Sequence, residues 1–255
     1  MELISWNVNG IRAAQRKGFI EWLHEKNPDI LCVQETKAHP EQLDRELLEP
    51  EGYHVFWSSA EKKGYSGVAT FCKEKPKTVA HGYNIPKFDS EGRVVITEFE
   101  SFTLLNIYFP NGQKNAERLQ YKLDFYDATL AFTENLRKQG RKVVVSGDYN
   151  TAHHAIDLER PEANVNTSGF LEVERQWLDK LIAHGYVDTL RHFDSSAKRY
   201  TWWDQKTRAR DRNVGWRIDY HFVSEELKEN LIGADILSDV YGSDHCPVTV
   251  FLGNK

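Results

Sequence analysis

Lys142-Val143-Val144-Val145-Ser146-Gly147-Asp148-Tyr149-Asn150 is the stretch from which the fold can be read. Its β-branched core predicts a strand over Lys142 to Ser146, since such residues pack well on a pleated surface. Gly147, Asp148 and Asn150 then tolerate the backbone that a turn requires. Taken alone, Asp148 and Asn150 are most simply turn residues.

The same run-then-polar pattern recurs outward along the chain. Further strands are predicted over Leu3 to Val8, Ile30 to Glu35, His54 to Ser58, Gly67 to Cys72, Val94 to Phe99, Thr103 to Phe109, Tyr200 to Trp203, Ile218 to Val223 and Pro247 to Leu252. About ten strands overfill one open sheet and favour two packed sheets. Helical periodicity over Gly18 to Lys26, Pro40 to Leu48, Glu117 to Gln139, Glu172 to His184 and Glu225 to Leu231 supplies outer layers. The expected fold is α/β, a four-layer sandwich of two mostly antiparallel sheets flanked by helices. No Pro/Gly/Ser-rich linker interrupts it, so residues 1–255 are read as one domain.

Five strand ends carry polar groups that the backbone does not need: Asn7-Val8-Asn9, Gln34-Glu35-Thr36, Tyr108-Phe109-Pro110-Asn111, Gly147-Asp148-Tyr149-Asn150 and Ser243-Asp244-His245. Turn chemistry accounts for any one of them but does not select Glu35 after Val33 and Gln34. A half-buried carboxylate is costly unless paired, hydrogen-bonded or bound to a cation. Carboxylates with amides, one histidine and no thiolate suit Mg²⁺ or Mn²⁺ rather than structural zinc. Metal-assisted phosphoryl chemistry follows, with the cation neutralising phosphate charge and a base handling water.

Composition narrows the field. Forty per cent hydrophobic and 28% charged residues describe an ordinary globular chain, and a net charge of −5 argues against coating nucleic acid by bulk electrostatics. Cys32, Cys72 and Cys246 are odd in number and scattered, which excludes a disulfide framework and fits a reducing cytoplasm. A strand starting at Leu3 leaves no room for a leader, and no run reaches the roughly 18 apolar residues of a bilayer span.

A local basic segment qualifies the net charge. Lys198, Arg199, Lys206, Arg208, Arg210, Arg212 and Arg217 stand against Asp204 and Asp211, interleaved with Trp202, Trp203 and Trp216. A charge run is usually a solvated loop, but aromatic interleaving suits phosphates and sugars together. Trp203 is read as core.

Seven motifs in order, Ser5-Trp6-Asn7-Val8-Asn9-Gly10, Leu31 to Lys37, Gly64-Tyr65-Ser66-Gly67-Val68, Tyr108 to Asn111, Gly147 to Asn150, Asn213 to Tyr220 and Ser243 to Pro247, resemble the exonuclease III family of apurinic/apyrimidinic endonucleases, within the endonuclease/exonuclease/phosphatase superfamily and its DNase I-like fold. The resemblance spans essentially the whole chain. It implies hydrolysis 5′ to an abasic site in duplex DNA, giving a 3′-hydroxyl and a 5′-deoxyribose phosphate. Exonuclease, 3′-phosphodiesterase or damaged-base incision are implied as accompanying activities. It further implies a metal held chiefly by Glu35, with Asn7, Asp244 and His245 near it and a second position at Asp148 and Asn150. His245, oriented by Asp219, would contact the phosphate; Asp148 would position or deprotonate water; Tyr108 and Asn111 would add donors. Trp202, Trp216 and Ile218 would wall a pocket for an extruded sugar. Arg12, Lys63, Tyr65, Lys114 and Arg208 would grip DNA. Asn9 stands where some members carry Asp, Tyr149 where Phe is more usual and Trp202 where some carry Phe. A monomer acting on damaged duplex is expected, with other repair enzymes as possible partners. The competing readings are a non-specific DNase, a phosphoinositide or sphingomyelin phosphodiesterase with the same core, and a non-catalytic DNA-binding module.

Overall fold

In the computed structural model, which describes residues 1–253, the branched and aromatic runs form two six-stranded sheets. The strands are β1 (Glu2–Asn7), β2 (Ile30–Gln34), β3 (His54–Ser58), β4 (Val68–Cys72), β5 (Thr78–His81), β6 (Val94–Glu98) and β7 (Thr103–Tyr108). They continue with β8 (Val143–Asp148), β9 (Tyr186–Asp188), β10 (Trp202–Trp203), β11 (Gly215–Trp216), β12 (Asp219–Ser224), β13 (Leu231–Ile236) and β14 (Val248–Leu252). One sheet has the order β13-β14-β1-β2-β4-β3, the other β5-β6-β7-β8-β12-β9, and β10-β11 is a separate ribbon.

Both sheets share one pairing pattern. Each has a single parallel pair, β1 with β2 and β7 with β8, and is antiparallel elsewhere. A parallel pair needs a crossover. The helix Phe19–Lys26 lies between β1 and β2 in the chain, and the 23-residue helix Ala116–Lys138 lies between β7 and β8.

The layers explain the valine run of β8. Val144 points into the space between the sheets, with Leu3, Ile30, Leu104 and Val223. Val143 and Val145 point outward against Phe125, Tyr126, Leu130 and Trp177 of the covering helices. A strand buried on both faces reads as a continuous apolar run. On the other side, Phe19 and Leu23 cover Ile4, Leu31 and Val33. Helix, sheet, sheet and helix make the four layers.

A parallel pair delivers both C-terminal ends to the same edge, while antiparallel neighbours begin there. Asn7 and Gln34 end β1 and β2 in register, as Tyr108 and Asp148 end β7 and β8. Asp219 opens β12 directly opposite Asp148, and His245 bridges to Trp202 just before β14. Six polar positions from distant sequence are thereby brought to one rim.

Several expected elements differ. Glu225 to Leu231 forms a 3₁₀ segment, Glu225–Asn230, running into edge strand β13 rather than an α-helix. Pro40 to Leu48 splits into a 3₁₀ turn and a four-residue helix, with Asp44 capping the latter through Leu47 N. The predicted strand at Tyr200 to Trp203 shortens to its two tryptophans. β5, β9, β11 and β13 lie outside the predicted strands; β9 and β11 are too short for an alternation to show, and Gly233 interrupts β13 at a register shift.

Candidate functional site

Local backbone fixes where each polar group points. Gly147 is required before Asp148: a Cβ there would lie 1.8 Å from the Ile107 carbonyl oxygen of β7, and its φ is +148°. Glu35, Lys37 and Asn150 adopt φ of 57°, 51° and 51°, turning side chains out of their strands at some conformational cost. Gly67 lets the Gly64–Gly67 loop close on this corner, since a Cβ would meet Thr36 Oγ1 at 2.3 Å. Thr36 N and Lys37 N donate to the carbonyls of Gly67 and Ser66. That loop braces Glu35.

The buried Asn7 amide joins two acids, donating through Nδ2 to Glu35 Oε2 (3.0 Å) and Asp148 Oδ2 (2.9 Å). Lys37 Nζ lies 2.8 Å from Glu35 Oε1 and donates to Asn9 Oδ1 (2.6 Å), while Asn9 Nδ2 donates to Asp244 Oδ1 (2.9 Å). Trp202 Nε1 donates to the other Asp244 oxygen at 3.1 Å. Asn150 N donates to Asp148 Oδ1 (2.7 Å), and its side chain bridges the Phe109 carbonyl and Asn111 Nδ2.

His245 completes the site. Its Nδ1 is 2.8 Å from Asp219 Oδ2, which also accepts from Thr201 Oγ1 at 2.6 Å, and its Nε2 lies 3.9 Å from Asp148 Oδ2. Burial alone would push the imidazole pKa down, but Asp219, Asp148 and Asp244 outweigh it and raise it to about 10. Burial, reinforced by Asp219, holds the Asp148 carboxyl well above the usual carboxylate range, although His245 opposes this. Burial pushes the Tyr108 phenol up, with Glu35 and Asp148 adding to it, so it remains a neutral donor at the rim.

Two observations fit a hard divalent cation here. Four carboxylates, Glu35, Asp148, Asp219 and Asp244, gather around two cations, Lys37 and His245, leaving negative charge uncompensated in a recess. Buried Asp219 Oδ1 has no partner among the described residues. Asp148, Asp219 and His245 each bring one ligand-type atom within 4.8 Å of the others.

These groups border a cavity of about 650 Å³. The cavity is lined by the polar Glu35, Tyr108, Asn111, Asp148, Asn150, Asp244 and His245 and by the apolar Trp202, Trp216 and Ile218. Trp202 and Trp216 pair across β10 and β11, their rings edge to face at 6.4 Å between centroids. Asn7 and Asp219 lie behind the lining.

Residues 4–245 match the Endonuclease/Exonuclease/phosphatase family. The chain belongs to this family. It is 46% identical over 254 residues to an exodeoxyribonuclease of Bacillus subtilis (strain 168), covering 99% of each chain. It is 38% identical over 254 residues to a DNA-(apurinic or apyrimidinic site) endonuclease of Dictyostelium discoideum, covering 98% of this chain and 70% of the relative. The solved AP endonuclease from Archaeoglobus fulgidus superposes with a TM-score of 0.88 at 30% identity, covering 99% of both chains. Within this family fold, the two-sheet sandwich expected from the sequence is the one observed.

The expected DNA-binding residues divide. Arg12, Lys63, Lys114 and Arg208 are exposed and lie outside the cavity lining. The Tyr65 hydroxyl accepts from Arg93 and Arg118, which share Glu91. Arg217 corrects the reading of the basic segment: it is 1% exposed and forked between Asp157 and Asp188. Arg210 likewise turns inward, donating to the carbonyls of Ser238 and Val240 and stacking on Trp203 and Tyr241. Trp203 is core, as expected. The sequence reading missed the wall formed by Arg160, Asn164, Thr167, Ser168 and Gly169. The only local signal there was Pro161 opening a four-residue helix, Pro161–Asn164, and nothing in that pattern points toward the cavity.

Proposed function

We propose that this chain is a DNA-repair nuclease that hydrolyses the phosphodiester 5′ to an abasic site in duplex DNA, leaving a 3′-hydroxyl and a 5′-deoxyribose phosphate. The observation that carries the reading is one cavity lined by both a carboxylate–histidine cluster and a pair of tryptophans. The first suits a phosphodiester and the second a sugar without its base. The names of the relatives, an exodeoxyribonuclease and an AP endonuclease, point the same way.

Glu35 would hold the metal chiefly, with Asn7 and Asp244 beside it and Asp148 with Asn150 at a second position. When bound, Mg²⁺, or Mn²⁺ in its place, neutralises charge on the phosphate and the departing oxygen. His245, beside the metal and held at Nδ1 by Asp219, faces the phosphate as a donor. Asp219 and Thr201 fix its ring. Asp148 accepts the proton of the water that attacks phosphorus in line, and the 3′ oxygen of the preceding nucleotide leaves. Tyr108 and Asn111 donate to phosphate oxygens. Trp202, Trp216 and Ile218 pack on the extruded sugar and exclude an intact nucleotide. Arg160, on the cavity wall, and the exposed Arg12, Lys63, Lys114 and Arg208 contact flanking phosphates. Residues 1–255 act as one domain and a monomer in the cytoplasm; no helix among the described residues is long and apolar enough to cross a membrane.

The test is incision of matched duplexes carrying an abasic analogue, a uracil, a 3′-blocked nick or no lesion, each with and without Mg²⁺. Abasic incision dependent on Mg²⁺ is expected, and Glu35→Ala should abolish it while duplex binding survives. Equal turnover of undamaged DNA would favour a non-specific DNase. Nicking by Glu35→Ala at the wild-type rate would refute the assignment of the site, and binding without nicking of any duplex by the unaltered chain would favour the non-catalytic DNA-binding module.

A further inference from the structure

Lys122 and Glu174 are both fully buried and form an ion pair at 2.6 Å, behind the cavity lining. Lys122 projects from the helix Ala116–Lys138, and Glu174 from the first turn of the helix Glu172–Ala183. Two buried charges are a poor way to gain stability, because desolvation consumes most of their attraction. Their remaining contacts show what they hold.

Lys122 spends all three ammonium donors: on Glu174 Oε1, on Thr151 Oγ1 (2.8 Å) and on the carbonyl of Asn150 (2.8 Å). Glu174 accepts from Ser168 Oγ (2.7 Å) through Oε1 and from Gly169 N (2.6 Å) and Leu171 N (3.1 Å) through Oε2. One end therefore fixes the left-handed peptide at Asn150, and the other fixes the Ser168-Gly169 wall. Gly169 abuts both: a Cβ there would lie 3.2 Å from the Trp216 ring and 3.3 Å from the Asn150 carbonyl oxygen. A third link runs from Ala152 N to the Gly169 carbonyl at 2.8 Å.

We infer that the Lys122–Glu174 pair is a positioning device. It locks the distance between Asn150 and the Gly169–Trp216 wall, so that sugar and phosphate are held in one register. The inference rests on the proposed function for its catalytic consequence, while its structural core concerns Asn150 and Gly169 alone. Lys122 reaches the site only through a main-chain carbonyl and touches no reacting atom.

The test is the double variant Lys122→Met/Glu174→Gln, which removes both charges together and avoids leaving one unpaired. Expected are a melting temperature close to wild type, a kcat on the abasic duplex lowered about tenfold and a KM changed less than threefold. Amide hydrogen exchange should quicken at Asn150 and Gly169 and stay slow at Val144 and Phe222. A merely structural pair predicts the reverse, a lower melting temperature with kcat and the Asn150 and Gly169 amides unchanged, and that result overturns the inference. Should the double variant not fold, Thr151→Val removes a single acceptor of Lys122; unchanged kcat and unchanged exchange at Asn150 in that variant equally overturn it. Exchange is read without substrate, so a chain that fails to incise abasic DNA defeats the functional reading and leaves the positioning test intact.

Discussion

Two clusters of buried charge flank the apolar wall of the cavity, and they are built in opposite ways. In one, Arg217 forks to Asp157 and Asp188 while Arg191 adds a second cation to Asp157, so two cations meet two acids and every carboxylate oxygen at the fork has a donor. In the other, among the described residues, Asp148, Asp219, Asp244 and Glu35 face two cations, His245 and Lys37, and Asp219 Oδ1 has no partner. Arg217 of the closed cluster sits between Trp216 and Ile218 in sequence and anchors the wall; the open cluster borders the cavity. Balanced charge makes structure, whereas unbalanced charge at a recess makes a site for a cation and a phosphate.

Disturbing each cluster should therefore fail differently. Asp148→Asn should lower kcat about 10³-fold, from loss of the proton acceptor, with a melting temperature at or above wild type; single-turnover incision and calorimetry together check this. Arg217→Met should do the converse. It strands Asp157 and Asp188 without their main cation and should cost about 3–5 kcal/mol in chemical denaturation. A stable Arg217→Met protein with normal unfolding would undo the contrast.

Acid separates the clusters by sign. Burial raises the Asp157 carboxyl, but Arg217 and Arg191 overcome this and lower it to about 2. A depressed carboxyl contributes stability that is present above its unfolded pKa and lost as pH falls through the folded one. About 2 kcal/mol should therefore disappear between about pH 4 and pH 2. Asp148, raised, has the opposite slope: the folded state holds its proton longer, so metal-free protein should gain stability as pH falls from neutrality towards 4. Urea midpoints across this range should peak between the two arms, and Asp148→Asn should flatten only the neutral one. The smallest effect is expected for Thr201→Val, which removes one donor to Asp219 and should cost about 1 kcal/mol of transition-state stabilisation, roughly a fivefold drop in kcat. An unchanged rate would mean that Asp219 alone orients His245.

The open cluster was legible in the sequence because its residues violate local expectation. Glu35 follows Val33 and Gln34 where turn chemistry selects no carboxylate, and Asp148, an ordinary turn residue alone, stands out as one of five polar strand ends. The closed cluster was misread at Arg217, which stands in a basic run and looks solvated. Its partners, Asp157 and Asp188, are 60 and 29 residues away, and only the folded chain brings them together. The same holds for Lys122 and Glu174, 52 residues apart on two helices.

By itself, the sequence determined the strand-rich pattern, the covering helices and the polar strand ends, because period, branching and turn chemistry are local properties of a chain. The tertiary structure decided which charges are spent on each other and which remain for a ligand. Pairing is a matter of distance between segments, and the parallel pairs β1–β2 and β7–β8 are what bring Asn7, Glu35, Tyr108 and Asp148 to one edge.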